Sequence, residues 1–183
     1  MEIRPLKLEG SFEILLNPKM DNRGYFMRSY DRHIFEKHGL QTNWVQENES
    51  LSKNQNVIRG LHFLNPPHTE TKFVRVIEGK IFDVFVDLRK DSKTYGQWDS
   101  IEISAEKHNA VYIPKGFAHG FLTLSEIVIV QYKVDNFYAA EADNGIRWND
   151  ADLNIDWKVD HPIISERDRN LQFFADFDSP FTL

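Results

Sequence analysis

The chain contains no cysteine, so it can form neither a disulfide framework nor a thiolate metal site. It also has no excess of positive charge, because 22 Lys and Arg residues stand against 28 Asp and Glu residues and the formal net charge is -6. Nucleic acids and anionic membranes are bound through basic surfaces, so this charge argues against both kinds of partner. An anionic ligand would have to be held by a few local positive side chains.

Long apolar runs are also missing, and none approaches the length of a membrane-spanning segment. The residues from Met1 to Glu9 interleave charged and apolar side chains, unlike the apolar core of a signal peptide. We therefore expect a cytoplasmic protein. No repeat, low-complexity tract or linker divides the sequence, and its length suits one well-buried domain, so we expect a single domain over residues 1–183.

Most of the chain consists of short segments rich in β-branched and aromatic residues, separated by Gly, Asn, Asp and Pro. This pattern predicts an all-β protein built as an antiparallel sandwich or barrel. The predicted strands cover residues 12–16, 24–29, 44–50, 57–63, 72–77, 80–88, 97–103, 110–113 and 127–133. The compact turn at residues 78 and 79 is the tightest hairpin signal in the sequence.

Helical signals are few. Residues 31–38 predict one helix, with a cap at Ser29 or Asp31 and a stop at Gly39. Residues 149–152 and 165–169 are polar and are predicted to open short helical turns. Helices are therefore expected only at the periphery of the β-structure.

The segment from Val57 to Phe63 carries an arginine, a glycine and a histidine on one predicted strand. Strict alternation would put His62 on the same face as Gly60, and Arg59 on the opposite face. Arg59 can join His62 in one cavity only if Gly60 permits a β-bulge or if Arg59 reaches in from the rim. A lone strand histidine is more often half-buried and hydrogen-bonded than catalytic, although neutral histidine is the usual general base near pH 7.

Lys72 and Tyr132 each share a strand face with apolar residues. A lysine at the start of a strand is commonly a solvated edge residue, and a strand tyrosine is commonly part of the core. If both point inward, Lys72 is suited to stabilise an enolate oxygen and Tyr132 to donate a proton. Phe26 and Tyr138 suit stacking on a base, and the amides of Gln46 and Asn48 suit a pyrimidine edge, although each of these is more often structural.

The segment from Pro114 to His119 fits the second motif of the cupin fold, Pro-x-Gly-x-x-His, which directs a histidine into a barrel. A metal-binding cupin also needs His-x-His followed by a glutamate, but Leu64 stands where the second histidine would be. At least three converging ligands are needed to hold a transition metal, so we expect no metal site. A metal-dependent cupin enzyme remains an alternative, with the candidate ligands His62, His68, Glu70 and His119.

Together these motifs resemble the dTDP-4-dehydrorhamnose 3,5-epimerase family over nearly the whole chain. The matching segments lie at residues 21–26, 46–50, 59–62, 72–76, 82–89, 113–121, 131–133, 145–150 and 165–168. The resemblance implies a cupin-type jelly roll, also called a double-stranded β-helix. It further implies a homodimer that works without metal or organic cofactor on a dTDP-linked 4-keto-6-deoxyhexose.

The resemblance also assigns roles to individual residues. His62 would be the base, Asp168 the carboxylate that orients it, and Tyr132 the acid on the opposite face of the sugar ring. Lys72 would be the partner of the enolate oxygen. Arg23 and Arg59 would bind the diphosphate, Tyr138 would stack on the thymine and His119 would contact the sugar. The full set of substrate-binding positions is Arg23, Phe26, Arg28, Gln46, Asn48, Arg59, His119, Tyr138, Asp143 and Arg167.

The expected reaction is carbon epimerisation next to a ketone. A 4-keto group acidifies the hydrogens at C3 and C5, so a base can form an enolate that is reprotonated on the other face. Inversion of both centres would convert dTDP-4-dehydro-6-deoxyglucose to dTDP-4-dehydrorhamnose. Inversion of C3 alone in a related 4-keto nucleotide sugar, and nucleotide-sugar binding without catalysis, remain open alternatives. Arg28 stands where the family usually has Glu, which leaves the preferred base open as well.

Overall fold

The computed structural model describes residues 1–183 as two antiparallel sheets that pack face to face. In chain order the strands are β1 (Glu2–Pro5), β2 (Phe12–Leu15), β3 (Lys19–Asp21), β4 (Gly24–Phe26), β5 (Gln46–Ser52), β6 (Val57–Leu64), β7 (Lys72–Glu78), β8 (Lys80–Asp87), β9 (Trp98–Ser104), β10 (Asn109–Ile113), β11 (Phe117–Thr123), β12 (Val128–Val134), β13 (Asp143–Gly145) and β14 (Ile163–Ile164). The first sheet has the order β1-β2-β10-β7-β12-β5. The second has the order β13-β6-β11-β8-β9, with β14 parallel to β6, while β3 and β4 form a separate hairpin.

The central core lies between the two sheets, because alternate residues of each strand point toward the opposite sheet. The first sheet contributes Val74 and Val130, and the second contributes Phe85 and Phe121, all of them buried. The same inner faces also carry polar side chains, and these line the cavity described below.

The C-terminal segment forms a second apolar core on the outer face of the second sheet. The ring of Phe63 in β6 packs against those of Phe177 and Phe181, with centroid distances of 5.1 and 5.5 Å. The Ser179 hydroxyl donates a hydrogen bond to the Leu88 carbonyl. Residues 170–183, which match no motif of the sequence, are therefore part of the folded core.

Two short helices lie outside the sheets, and neither is long or apolar enough to span a membrane. α1 (Arg32–Lys37) begins after Asp31, whose carboxylate accepts hydrogen bonds from two backbone N–H groups of the first turn. This cap and the predicted stop at Gly39 are confirmed. α2 (Glu166–Arg169) begins after Ser165, whose hydroxyl accepts a hydrogen bond in the same way.

The predicted all-β class is confirmed, and most predicted strands overlap observed ones. The strands absent from the prediction are β1, β3, β11, β13 and β14. Residues 27–29 were predicted as strand but have no regular structure, and residues 149–152 form turns instead of a helix. Apart from β11, which has seven residues, the missed strands are short, and few of their residues carry the periodic signal.

The predicted hairpin at residues 78 and 79 is wrong. β7 pairs with β10 and β12 in the first sheet, whereas β8 pairs with β9 and β11 in the second. Gly79 (φ +79°) takes the chain from one sheet to the other, at a point where a Cβ atom would lie 2.3 Å from the Ile127 carbonyl oxygen. The turn is present, but it connects the two layers.

Candidate active site

A β-bulge in β6 brings Arg59 and His62 to the same cavity. His119 of β11 stands opposite His62, and Phe121 stands opposite Arg59, so two residues of β6 face the single intervening residue of β11. Gly60 (φ +132°) lies in this bulge, and a Cβ atom there would be 2.5 Å from the Cα of Gly120. The prediction of strict alternation is therefore wrong, and the bulge considered beside it is confirmed.

The bulge opens onto a cavity of about 500 Å³ between the two sheets. The second sheet contributes Arg59, His62 and His119 to the polar walls of this cavity. The first sheet contributes Lys72 and Tyr132, and α2 contributes Arg167 and Asp168. All four residues predicted to be catalytic are thus brought together. His62 and Tyr132 belong to opposite sheets, so a ligand in the cavity would lie between them.

His62 forms a hydrogen-bonded pair with a buried carboxylate. Its Nε2 lies 2.8 Å from Asp168 Oδ1, and Asp168 Oδ2 accepts a hydrogen bond from the Gly60 N–H at 3.1 Å. An ionised carboxylate can only accept, so the imidazole proton is on Nε2 and Nδ1 is left as the basic nitrogen. Asp168 is held in turn by its own N–H, which donates to Ser165 Oγ at 3.1 Å. The carboxylate therefore fixes both the bulge and the tautomer of His62.

Asp168 is charged despite its burial. Its side chain is only 5% exposed, and removal from water opposes ionisation. Hydrogen bonds from His62 and the Gly60 N–H, together with the charges of His62 and Arg167, outweigh this burial and hold the pKa of Asp168 below its ordinary value. The pair is thus suited to orient His62 and to stabilise it when it becomes protonated.

His119 belongs to a second histidine–carboxylate pair, which the sequence did not predict. His119 Nε2 lies 2.8 Å from Oδ2 of Asp83, a fully buried residue of β8. Burial raises the pKa of Asp83, although the neighbouring His119 and Lys72 act to lower it. Asp83 Oδ1 has no hydrogen-bond partner. The available signal was an aspartate on the same strand face as the apolar residues Ile81 and Phe85.

Lys72 and Tyr132 both point inward. The sequence left their orientation open, and an inward orientation is the one that a role in catalysis requires. Lys72 lines the cavity, and its Nζ lies 3.2 Å from Glu70 Oε1. Tyr132 lines the same cavity from the neighbouring strand β12. A lysine and a tyrosine on one wall, opposite a histidine on the other, form an arrangement suited to proton transfer at carbon.

A series of polar contacts leads from Arg167 on the cavity wall to residues that do not line the cavity. Arg167 Nη2 donates to Asp143 Oδ1 at 2.7 Å, and the Tyr138 hydroxyl donates to Asp143 Oδ2 at 3.1 Å. The Tyr138 N–H donates to Gln46 Oε1 at 2.6 Å. The hydrogen bond with Asp143 raises the pKa of the Tyr138 phenol. Four predicted substrate-binding residues are therefore linked, with an exposed aromatic ring among them.

Arg59 connects the two sheets on another side of the cavity. Its Nε donates to Ser52 Oγ at 3.2 Å, and its Nη2 donates to the Leu51 carbonyl at 3.1 Å. Arg59 and Arg167 thus place two guanidinium groups on the cavity wall, and planar guanidinium groups match phosphate oxygens well. Asn48 lies opposite Tyr132 in the register of the first sheet, so both side chains lie on its inner face.

Of the ten predicted substrate-binding residues, only Arg59, His119 and Arg167 line the cavity of this chain, and three of the others are strongly exposed. Arg23, Phe26 and Arg28 lie in or next to the β3–β4 hairpin, and their exposed fractions are 85, 69 and 68%. The hairpin lies against the outer face of the first sheet, where Tyr25 lines a small cavity with Ile77.

The candidate ligands of the metal-dependent alternative do not form a ligand set. No group of three or more His, Asp or Glu side chains is arranged to hold a metal ion. His62 and His119 are each paired with an aspartate, Glu70 pairs with Lys72, and His68 lies 4.0 Å from Glu141.

Comparison with known proteins agrees with this geometry. A "dTDP-4-dehydrorhamnose 3,5-epimerase" of Methanothermobacter thermautotrophicus is 48% identical over 174 residues, which cover 92% of this chain and 93% of that protein. The crystal structure of a Bacillus anthracis dTDP-4-dehydrorhamnose 3,5-epimerase with TDP and PPi bound is 42% identical, with a TM-score of 0.92 and coverage of 94 and 99%. A Legionella pneumophila dTDP-6-deoxy-D-glucose-3,5-epimerase in complex with dTDP-4-keto-L-rhamnose is 34% identical, with a TM-score of 0.92 and coverage of 97 and 94%.

The two facing sheets and the polar cavity between them define a cupin-type jelly roll, as predicted. The sequence model of the family described as dTDP-4-dehydrorhamnose 3,5-epimerase matches residues 5–176. The chain belongs to this family.

Proposed function

We propose that the protein inverts C3 and C5 of dTDP-4-dehydro-6-deoxyglucose to give dTDP-4-dehydrorhamnose. The observation that carries this proposal is the position of His62 and Tyr132 on opposite sheets of one cavity, with His62 paired to Asp168. An inversion needs a base on one face of the sugar ring and an acid on the other. The two walls of the cavity supply these two groups.

The first step is removal of a proton by His62. In our proposal His62 Nδ1 takes the proton from the carbon next to the ketone, and the C–H electron pair moves into the C–C–O system to form an enolate. Asp168 accepts the Nε2 hydrogen bond throughout and stabilises the imidazolium that results. The developing charge on the C4 oxygen lies near Lys72, whose ammonium stabilises it.

The second step is proton return on the opposite face. The Tyr132 hydroxyl gives its proton to the carbon, and the electron pair returns from the oxygen, so the centre is inverted and the ketone restored. His62 then carries one proton more and Tyr132 one fewer, and exchange with water resets both. Hydrogen from solvent is therefore incorporated at each inverted carbon.

The remaining polar residues hold the nucleotide and the sugar. Arg59 and Arg167 are proposed to bind the diphosphate, and the exposed ring of Tyr138 to stack on the thymine. His119, oriented by Asp83, is proposed to accept a hydrogen bond from a sugar hydroxyl at Nδ1. Gln46, Asn48 and Asp143 are proposed to complete the nucleotide site at its rim.

We also propose that the protein acts as a homodimer. Exposed apolar side chains, among them Phe26, Leu51 and Ile77, cover the hairpin and the outer face of the first sheet. Apolar patches of this kind commonly mark interfaces. A second copy on this face would bring Arg23 and Arg28 toward a cavity that they do not reach in their own chain. Within each copy, residues 1–183 are proposed to form one domain.

Incubation with dTDP-4-dehydro-6-deoxyglucose in deuterated water tests the reaction. The hydrogens at C3 and C5 should both exchange, and the product should have the configuration of dTDP-4-dehydrorhamnose. Exchange at C3 alone would restrict the activity to that centre. A preparation that binds the nucleotide sugar and exchanges neither hydrogen would contradict catalysis by this cavity.

A further inference from the structure

Glu70 is a nearly buried carboxylate for which the proposed mechanism has no role. Its Oε1 lies 3.2 Å from Lys72 Nζ, and the side chains of the two residues are 13 and 12% exposed. Lys72 lines the active-site cavity and also a small cavity that Glu70 lines, whereas Glu70 does not line the active-site cavity. The carboxylate therefore contacts the lysine from outside the space that a substrate would occupy.

The pairing with Lys72 explains why Glu70 can be buried. A charged side chain out of water is costly unless it is paired. Lys72 is the only charged partner of Glu70, and the Glu70 carboxylate accepts no hydrogen bond from any other side chain. The position of Glu70 is thus tied to the position of one ammonium group.

Lys72 is surrounded by other titratable groups, of which the carboxylates attract its ammonium. The cavity wall carries His62, His119, Tyr132, Asp168, Arg59 and Arg167. The charge of Lys72 also acts on Asp83, whose Oδ1 is buried and has no hydrogen-bond partner. Without a fixed partner, the ammonium would be drawn toward Asp83, the carboxylate that orients His119.

We infer that Glu70 is a positioning residue that holds the Lys72 ammonium at the place where the enolate oxygen forms. Glu70 acts through Lys72 and does not touch the substrate. The inference rests on the proposed role of Lys72. It predicts that loss of the Glu70 charge slows the chemical step while substrate binding is largely unchanged, because the nucleotide is held elsewhere.

The test compares Glu70→Gln, which keeps the shape and removes the charge, with Glu70→Asp, which keeps the charge. Both variants are measured by deuterium exchange at C3, in the wild-type chain and in a Lys72→Gln chain. We expect Glu70→Gln to lower kcat by about tenfold or more with KM nearly unchanged, since misplacement of a catalytic group by about 1 Å can cost up to about a hundredfold. Glu70→Asp should retain more activity, and Glu70→Gln should have no further effect in the Lys72→Gln chain.

Glu102→Gln is the matched control, because Glu102 forms an exposed ion pair with Lys107 at 2.7 Å. This variant should keep the wild-type kcat. Equal loss from Glu70→Gln in both backgrounds, or an unchanged kcat in a folded Glu70→Gln protein, would overturn the inference. Wild-type exchange by Lys72→Gln alone would instead contradict the role proposed for Lys72.

Discussion

At the scale of single residues, the proposed chemistry depends on which nitrogen of His62 carries a proton. The Asp168 carboxylate is 2.8 Å from Nε2, so Nδ1 remains free to act as a base. Burial alone would favour a neutral Asp168, but the hydrogen bonds it accepts keep it charged. One carboxylate thus prepares the histidine for its role.

Replacement of the base should abolish most of the activity. We expect His62→Ala to lower kcat for exchange at C3 by about 10²- to 10⁴-fold, the usual contribution of a positioned general base. His33→Ala is the control, because the side chain of His33 on α1 is 94% exposed. Hydrogen exchange followed by NMR measures both. Full exchange by His62→Ala would remove His62 from the mechanism.

The lowered pKa of Asp168 predicts a dependence of stability on pH. An unfolded chain binds a proton at this carboxyl near its ordinary pKa of about 3.9, whereas the folded chain keeps it ionised to lower pH. The stabilisation is therefore complete above the ordinary pKa and is lost as pH falls through the folded pKa.

Urea unfolding at pH 5 and at pH 3 tests this dependence. Asp168→Asn should lose less stability than the wild type between the two pH values, because the ionisation that favours folding is gone. Asp152→Asn, at an exposed position, should follow the wild type. An equal loss of stability between pH 5 and pH 3 in the wild type and in Asp168→Asn would show that this carboxyl does not contribute to the pH dependence of stability.

The residues of the site differ in how well a sequence can predict them. His62, Lys72 and Tyr132 lie in segments that resemble the family, and it was the resemblance, beyond their types and spacing, that indicated their chemistry. The pairing of Glu70 with Lys72, two residues along the chain, was not predicted although it is local. Asp83 was not recognised as the partner of His119, because that pairing joins neighbouring strands and no local pattern encodes it. Pairings between distant side chains are tertiary properties.

At the scale of elements, the bulge in β6 decides which side chains enter the cavity. A one-residue shift in a strand exchanges its two faces, so Arg59 and His62 share a cavity only because residues 60 and 61 face a single residue of β11. The glycine in the sequence predicted that a bulge was possible. Whether it formed depended on the close approach of β11, which the sequence of β6 does not contain.

Substitution of this glycine should damage both the fold and the site. We expect Gly60→Ala to lower the free energy of unfolding by about 2–6 kcal/mol, because a positive φ and overpacking against Gly120 each cost about 1–3 kcal/mol. Gly39→Ala has a positive φ and open space around it, so it should cost only about 1 kcal/mol. Chemical denaturation measures both variants. A Gly60→Ala protein as stable and active as the wild type would contradict this account of the bulge.

At the scale of the whole molecule, the two sheets, the hairpin and the C-terminal segment each have a different task. The alternation of apolar residues predicted the sheets, because alternation reports directly on which face is buried. It did not predict the path between sheets at residue 79, since a turn signal is the same within a sheet and between sheets. The C-terminal segment was equally unpredictable, because Phe177 and Phe181 lie outside any strand.

The proposed dimer predicts a variant that changes assembly and activity together. Phe26→Asp places a charge in the exposed apolar patch, so we expect it to shift the protein toward monomers and to raise KM for the nucleotide sugar. Leu183→Asp, at an exposed position of the C-terminal segment, should change neither property. Sedimentation velocity and exchange kinetics measure the two effects. A Phe26→Asp protein with wild-type assembly and KM would contradict the proposed interface.

Because His62 and Tyr132 lie on different sheets, the distance between the two sheets limits which substrates can contact both side chains. Facing sheets lie about 10 Å apart, and side chains from both walls occupy part of that gap. A pyranose ring bound as proposed would lie between them with one face toward each group. A bulky axial substituent would push the walls apart and separate base from acid, even while the nucleotide stayed bound. We therefore expect the height of the sugar above its mean ring plane, more than its length, to decide which sugars react.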